Sequence, residues 1–259
     1  MATPRVLILR APGTNCDQET AFAFQRSGAE AEILHVNRLL EAPRRLGDFQ
    51  IVCVPGGFSY GDDLAAGRIL ASHIRRKLAD ELREFKAAGK LILGICNGFQ
   101  VLIKSGVLLA DDAQGMPATL TMNESGKYED RWVNLIADGS KCVFLEGISA
   151  LTLPLAHAEG KFVARSDAIL QSLDAAGQLV LRYTRSDGQP GNDVPYPQNP
   201  NGSQANVAGI CDPSGRVFGL MPHPERYMDR TQHPRWTRGE GHDPGDGLRI
   251  FENAVRYLR

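Results

Sequence analysis

Cys96 is the residue best placed in this sequence to act as a nucleophile. It lies in the segment Gly94-Ile95-Cys96-Asn97-Gly98, after the apolar run 91–93 and before a helix-compatible run. This spacing is the cysteine version of a nucleophile elbow, a sharp turn from strand to helix. Amides at the start of the helix favour a thiolate and can donate to an oxyanion. A lone cysteine among apolar residues is equally typical of a core, so a matching base must decide.

His223 is the best candidate for that base. A cysteine nucleophile needs a base within hydrogen-bond reach and usually a third group that orients the base. His223 follows an apolar strand pattern, and Glu225 lies two residues later, where a carboxylate can hold the imidazole. Pro222 and Pro224 restrict the backbone on either side. The alternative is a loop with incidental charges at the end of a strand.

Glycines and amides near the cysteine suggest further parts of a site. Gly56 and Gly57 follow another predicted strand, and the amide of Gly57 together with that of Asn97 could form an oxyanion hole. A tight turn is the alternative for the glycines. Gln100 lies one helical turn after Cys96, so it would bind a polar end of a substrate or face solvent.

The bulk properties exclude several classes of protein. The 259 residues are 42% hydrophobic and 23% charged, with a net charge of −1, so no overall field attracts nucleic acid or a membrane surface. We find neither a membrane-spanning apolar run nor a secretory leader. The five cysteines include no C-x-x-C pair, so we expect no metal site or disulfide framework, and reduced thiols in the cytoplasm.

The order of predicted elements indicates an α/β fold. Apolar runs predict strands at 6–9, 31–36, 51–54 and in the segment that leads to Cys96, with helices at 17–27 and 64–88 between them. We expect an open, mostly parallel, doubly wound sheet with flanking helices. Later stretches, at 118–122, 131–136, 151–156, 161–164 and 179–184, predict a small antiparallel extension of the sheet. A hairpin at 207–221 and a helix at 248–258 follow. We expect a single domain over 1–259, with long loops at 187–203 and 231–247.

Three motifs together resemble those of the class I, triad-type glutamine amidotransferases, which have a flavodoxin-like fold. The motifs are Pro55-Gly56-Gly57, the segment 94–100 around Cys96, and Pro222-His223-Pro224-Glu225. Longer versions of these motifs, together with 12–17 and 156–160, are similar to the glutaminase subunits of phosphoribosylformylglycinamidine synthase. The likeness extends from about residue 5 to residue 258. It departs at Ala158, where glycine is expected, and at the loops 186–204 and 230–246, which are longer.

The resemblance implies an activity and a set of roles. Cys96 would form a thioester with L-glutamine, His223 would transfer protons and Glu225 would orient it. The product ammonia would serve a synthetase subunit that converts formylglycinamide ribonucleotide to its amidine in purine biosynthesis. The implied oxyanion hole is Gly57 and Asn97. The other implied residues are Gly56, Phe58 and Gln100 for substrate binding, and His157 and Glu159 as a supporting or interface element, for which a structural turn is the alternative.

The resemblance implies no cofactor and no metal on this chain, with ATP and Mg²⁺ held by the partner synthetase. The sequence contains no G-x-x-x-x-G-K-[ST] loop, as this division of labour requires. A small third subunit is a further implied partner. Three alternatives remain open: a stand-alone cysteine hydrolase or peptidase, the glutaminase subunit of another amidotransferase, and a non-catalytic regulatory subunit. Asn97, where many hydrolases place histidine, argues against the first, and the complete triad argues against the last.

Overall fold

The computed structural model describes residues 3–185 and 194–259. Within these ranges the chain forms eleven strands, numbered in chain order: β1 Arg5–Arg10, β2 Glu30–His35, β3 Ile51–Val54, β4 Leu91–Ile95, β5 Ala118–Thr121, β6 Glu129–Ala137, β7 Ala150–His157, β8 Lys161–Ala164, β9 Leu181–Tyr183, β10 Val207–Cys211 and β11 Val217–Leu220.

The same ranges contain seven α-helices. They are α1 Asp17–Arg26, α2 Val36–Glu41, α3 Arg68–Lys77, α4 Ala79–Ala87, α5 Asn97–Lys104, α6 Asp167–Ala175 and α7 Leu248–Tyr257. None of the helices in the described parts of the chain is both long and apolar enough to cross a bilayer.

Nine strands form one sheet in the order β2-β1-β3-β4-β11-β10-β9-β6-β7. The neighbouring strands β2, β1, β3, β4 and β11 are parallel to one another. The pairs β11–β10, β10–β9, β9–β6 and β6–β7 are antiparallel. Strands β3 and β4 are buried at every position, which explains their continuous apolar sequence. The prediction of a mostly parallel α/β sheet with flanking helices and an antiparallel extension is therefore confirmed.

Several local predictions are wrong. The helix expected over 64–88 is two helices, because Leu78 adopts φ −130° between α3 and α4. The apolar spacing conceals this break, since Ile74, Leu78 and Leu82 are all buried. Helices α2 and α6 were not predicted. Strands β5 and β8 were assigned to the extension of the main sheet, but they pair with each other as a separate two-stranded sheet.

The two long loops are only partly accounted for. Of the loop expected over 187–203, residues 187–193 lie outside the described residues, and 194–203 contain neither helix nor strand. The loop expected over 231–247 includes single 3₁₀ turns at Arg230–Gln232 and Trp236–Arg238. Its end is tied back by a hydrogen bond from Gly245 N to Met228 O of 3.2 Å.

The sheet curves so that its edge strand β7 approaches the central strands β4 and β11. β7 is five positions away from β4 in the sheet order. Nevertheless the backbone N–H of His223 donates to the Pro154 carbonyl at 2.8 Å. The Cys96 sulphur also lies 3.7 Å from the Ala156 carbonyl oxygen. Strand β7 therefore covers the carboxyl ends of β4 and β11.

Gly98 lies where helix α5 packs closely against strand β3. A Cβ built at this position would lie 1.8 Å from the Val54 carbonyl oxygen. Helix propensity alone predicts that Gly98→Ala adds about 1 kcal/mol of stability. We expect the steric clash to outweigh this gain in helix propensity. The free energy of unfolding, measured by urea denaturation, should fall by about 1–3 kcal/mol or more.

Gly47→Ala is the matched control for this substitution. A Cβ at position 47 would meet no atom within 4 Å, so this variant should change stability by less than about 0.5 kcal/mol. A Gly98→Ala chain as stable as the Gly47→Ala chain would show that the helix does not depend on this close approach.

Candidate active site

Cys96 occupies a strained turn between β4 and α5. Its backbone has φ 52° and ψ −106°, a conformation that residues other than glycine rarely adopt. The flanking glycines allow this turn, since a Cβ on Gly94 would lie 2.7 Å from the Gly98 carbonyl oxygen. The sulphur is nearly buried and contacts the Ala156 carbonyl. The predicted elbow is therefore present, with the thiol beside the first amides of a helix.

His223 and Glu225 lie next to this turn because β11 runs parallel to β4. Leu220 of β11 pairs with Ile95 of β4, so both chains leave the sheet at the same edge. His223 donates from Nδ1 to Glu225 Oε1 at 2.5 Å, and both side chains are buried. Nε2 of His223 has no hydrogen-bond partner among residues 3–185 and 194–259. That nitrogen is consequently available for proton transfer.

The pKa of His223 lies well above its ordinary value. Burial alone would lower this pKa, but the Glu225 carboxylate and the nearby sulphurs of Cys96 and Cys16 outweigh burial. The negative charge of Glu225 and the nearby sulphurs thus stabilise the imidazolium form of His223. Such an imidazolium can give a proton to a leaving group.

The two residues predicted for the oxyanion hole come from different segments: Asn97 follows Cys96 directly, and Gly57 lines the same cavity as Cys96. Asn97 begins α5, where the first backbone amides have no partner within the helix. Its side chain is held by Ser59 N, which donates to Oδ1 at 3.1 Å. Gly57 adopts φ +140°, and a Cβ there would lie 2.7 Å from Asn15 N, so only glycine fits. Gly56 packs against the ring of His223, since its Cβ would lie 2.8 Å from Cε1.

A small cavity of about 50 Å³ adjoins the cysteine. It brings together six of the residues predicted from the sequence: Gly57, Phe58, Cys96, Gln100, His157 and Glu159. A single water needs about 10–15 Å³ of such space, so there is room for small groups beside the sulphur.

Hydrogen bonds close the wall of this cavity. Gln100 donates from Nε2 to the Glu159 carbonyl at 2.6 Å, and its Oε1 accepts from Asn97 Nδ2 at 2.9 Å. Glu159 Oε2 accepts from the backbone N–H of Ala66 at 3.1 Å. Lys104 donates to the Ala66 carbonyl at 2.6 Å. Both polar atoms of the Gln100 amide are therefore engaged with protein groups.

His157 is a buried histidine at the end of β7, with only 3% of its surface exposed. Its Nδ1 lies 3.1 Å from Asn123 Oδ1. Burial and the nearby positive charge of His223 lower the pKa of His157 to about 3. Its imidazole is thus neutral under ordinary conditions, in contrast to that of His223.

Sequence reasoning assigned no role to Cys16 or Arg226. Arg226 donates from Nη2 to the Cys16 sulphur at 3.0 Å and from Nε to Glu19 at 2.9 Å. Burial raises the pKa of Cys16, which favours the thiol. Cys16 lies in the segment 12–17 that contributed to the family resemblance, and this was the only signal for it.

Cys16, His223 and Glu225 are also the single group of three potential metal ligands in the described part of the chain. One ligand atom from each lies within 4.8 Å of the others. The Arg226 guanidinium beside the sulphur opposes a second cation there, and His223 Nδ1 already binds the carboxylate. The arrangement therefore orients the imidazole and does not suit a metal ion.

Comparisons with known proteins agree with this geometry. Residues 3–258 match the CobB/CobQ-like glutamine amidotransferase domain. Phosphoribosylformylglycinamidine synthase subunit PurQ of Dehalococcoides mccartyi is 49% identical over 260 residues, covering 100% of this chain and 99% of the relative. PurQ of Methanococcus maripaludis is 42% identical over 267 residues, covering 98% and 97%.

A solved structure matches over the same length. A chain in the structure of PurLQS from Thermotoga maritima superposes with a TM-score of 0.75 and 32% identity, covering 100% of both chains. The fold, the sequence matches and the order of motifs agree along the whole chain. This chain therefore belongs to the CobB/CobQ-like glutamine amidotransferases and, within them, to the PurQ subunits of phosphoribosylformylglycinamidine synthase.

Proposed function

We propose that this chain hydrolyses L-glutamine at Cys96 and delivers the ammonia to a synthetase subunit. That subunit would convert formylglycinamide ribonucleotide to formylglycinamidine ribonucleotide. The observation that carries the proposal is the placement of Cys96 and the His223–Glu225 pair at the ends of the adjacent parallel strands β4 and β11. The PurQ names of the full-length relatives support the same reaction.

The first half of the reaction forms a thioester. The Cys96 thiolate attacks the carboxamide carbon of glutamine, and a sulphur–carbon bond forms. When the carbon–nitrogen bond breaks, the His223 imidazolium gives its Nε2 proton to the departing nitrogen, which leaves as ammonia. Glu225 holds the ring by accepting from Nδ1 at 2.5 Å. The raised pKa of His223 suits it to this step as the acid.

The second half hydrolyses the thioester. A water molecule gives a proton to Nε2 of His223 and attacks the thioester carbon, which releases glutamate and restores the thiolate. The backbone N–H groups of Asn97 and Gly57 stabilise the oxyanion in both halves. Loss of one such donor typically costs about 10²–10³ in rate.

The remaining predicted residues surround the substrate in this proposal. Phe58, which is 45% exposed, would form the mouth of the cavity. Gly56 keeps the ring of His223 close to the site. Gln100 would contact the polar end of glutamine once its present hydrogen bonds are exchanged, with Glu159 as a supporting residue. Glu159 also faces Lys104 at 3.8 Å, so its charge is already balanced.

The partner subunit would carry the energy-consuming chemistry. The similar Thermotoga maritima chain comes from a PurLQS structure, which supports a synthetase and a small third subunit as partners. We assign ATP and Mg²⁺ to the synthetase.

We also infer that residues 1–259 form one amidotransferase domain, supported by the single sheet that links β2 to β7. The five free cysteines support a cytoplasmic location.

The full-length PurQ matches disfavour the other candidates, namely a stand-alone hydrolase and the glutaminase of a different amidotransferase. A non-catalytic regulatory subunit would have no need of the buried imidazole–carboxylate pair beside a strained cysteine.

Replacement of the nucleophile should separate the two reactions of the complex. We expect Cys96→Ala to abolish glutamine-dependent synthesis, by several orders of magnitude, because no thioester can form. Synthesis from added ammonium should persist, because the synthetase is intact. Cys142→Ala, at another buried cysteine, should retain both activities. Full glutamine turnover by the Cys96→Ala complex would exclude this cysteine as the nucleophile.

The hydrogen bonds that hold the wall of the cavity predict a weak activity of the isolated chain. Gln100 is bonded to the Glu159 carbonyl and Lys104 to the Ala66 carbonyl, so these contacts must be exchanged before glutamine can bind. We expect a low glutaminase rate for the chain alone and a much higher rate with the synthetase and its nucleotide. A high rate without the partner, unchanged on its addition, would contradict this prediction.

Lys104→Met tests the same closure within one chain. The substitution removes the bond from Lys104 to the Ala66 carbonyl, so the isolated chain should gain activity. Lys86→Met is the matched control, because Lys86 makes a similar bond to the Val107 carbonyl at 2.8 Å on another part of the surface.

A further inference from the structure

The protonation state of His157 follows from its neighbour Asn123. The Asn123 Nδ2 donates to the carbonyls of Lys127, at 3.0 Å, and His157, at 2.8 Å. Its Oδ1 accepts from the Gly160 backbone N–H at 2.9 Å. These three bonds define which side-chain atom of Asn123 is oxygen. Because an amide oxygen can only accept, Nδ1 of His157 must carry the ring proton.

The other ring nitrogen is therefore a bare acceptor. Nε2 of His157 is buried and finds no hydrogen-bond donor anywhere in the described ranges 3–185 and 194–259. Gly160 packs against the ring, and a Cβ there would lie 2.2–2.6 Å from Cε1, Nδ1 and Nε2, so the ring is held in place. The low pKa of His157, about 3, keeps this lone pair free of a proton. A buried acceptor without a donor is costly, which indicates a missing ligand.

His157 is also beside the reacting sulphur. It lines the same 50 Å³ cavity as Cys96. The carbonyl of the preceding residue, Ala156, contacts the Cys96 sulphur at 3.7 Å. The charge of His223 influences His157 directly. A small molecule with an N–H group, bound at Cys96, would thus meet an acceptor that the protein itself leaves unused.

We propose that Nε2 of His157 accepts a hydrogen bond from the carboxamide N–H of glutamine and then from the ammonia that this nitrogen becomes. This inference rests on the proposed function and adds a residue that determines specificity. His157 exchanges no proton: the sulphur–carbon bond forms, the carbon–nitrogen bond breaks, and the nitrogen receives its proton from His223. The product glutamate has no N–H at this position and would place an oxygen lone pair against Nε2. The residue therefore favours the amide over the product.

The test compares two substrates of the assembled complex, L-glutamine and the γ-methyl ester of L-glutamate. The ester forms the same thioester but lacks the N–H. We expect His157→Phe to lower kcat/KM for glutamine about 10- to 100-fold, the range expected for one lost hydrogen bond, and to change that for the ester less than about threefold. His242→Phe, at an exposed histidine, is the matched control and should change neither value. Equal losses for both substrates, or no loss, would overturn the proposal.

A second variant and a second measurement guard against misfolding. Synthesis from added ammonium reports whether the His157→Phe complex has assembled. His157→Gln offers a carbonyl oxygen as a substitute acceptor, so it should restore part of the preference for glutamine over the ester; no such recovery would count against the proposal.

Nitrogen NMR of the histidine-labelled Cys96→Ala chain with its partner should show an unprotonated Nε2 of His157 that shifts with bound glutamine but not with bound ester. A protonated Nε2, or equal shifts, would overturn the proposal. If the unmodified complex hydrolyses neither substrate, the proposed function fails first, and this inference fails with it.

Discussion

The first turn of α5 can approach β3 only because position 98 has no side chain. A Cβ there would overlap the Val54 carbonyl oxygen, at 1.8 Å. This approach brings the start of the helix directly above the ends of β3 and β4. Cys96 must then take up the direction change in one residue, with φ 52°. Such a backbone costs about 1–3 kcal/mol and persists only where the surrounding packing enforces it. The position of the nearly buried sulphur at the edge of the sheet is therefore a consequence of packing.

The electrostatics of the site depend on two buried histidines with opposite surroundings. Burial alone would lower the pKa of both His157 and His223. Only His223 has a carboxylate at 2.5 Å, and this charge outweighs burial. His157 faces a neutral amide and the positive charge of its neighbour, so burial prevails. One imidazole can thus give and take protons, whereas the other remains a fixed acceptor beside the same cavity.

The turn at Cys96, the His223–Glu225 pair and the parallel half of the sheet were predictable because their signals are local. The glycines around Cys96 and the prolines around His223 each lie within five residues of the group that they position. Each of the two groups also follows an apolar strand pattern in the sequence. The break at Leu78 was not predictable from apolar spacing, because the buried positions continue through it. Helix α6 was missed among the short alternating stretches that surround it.

Other parts of the site depend on contacts between distant segments. The curvature that brings β7 over the ends of β4 and β11 has no sequence signature, although it positions both His157 and the Ala156 carbonyl. A lone cysteine likewise gives no indication that it packs beside an imidazole, so Cys16 remained without a role. Its partner Arg226 is 210 residues away in the sequence. The closure of the cavity by Gln100, Glu159 and Lys104 depends on the same tertiary contacts.

The central claim is that one sulphur, that of Cys96, attacks glutamine with the help of His223. A chloroketone analogue of glutamine would place a reactive carbon where the carboxamide binds, and mass spectrometry of the labelled complex would locate the modification. The account predicts one label per chain, on Cys96 and on none of the other four cysteines, with protection by glutamine. A label on Cys16 or another residue, or labelling that glutamine does not prevent, would contradict it.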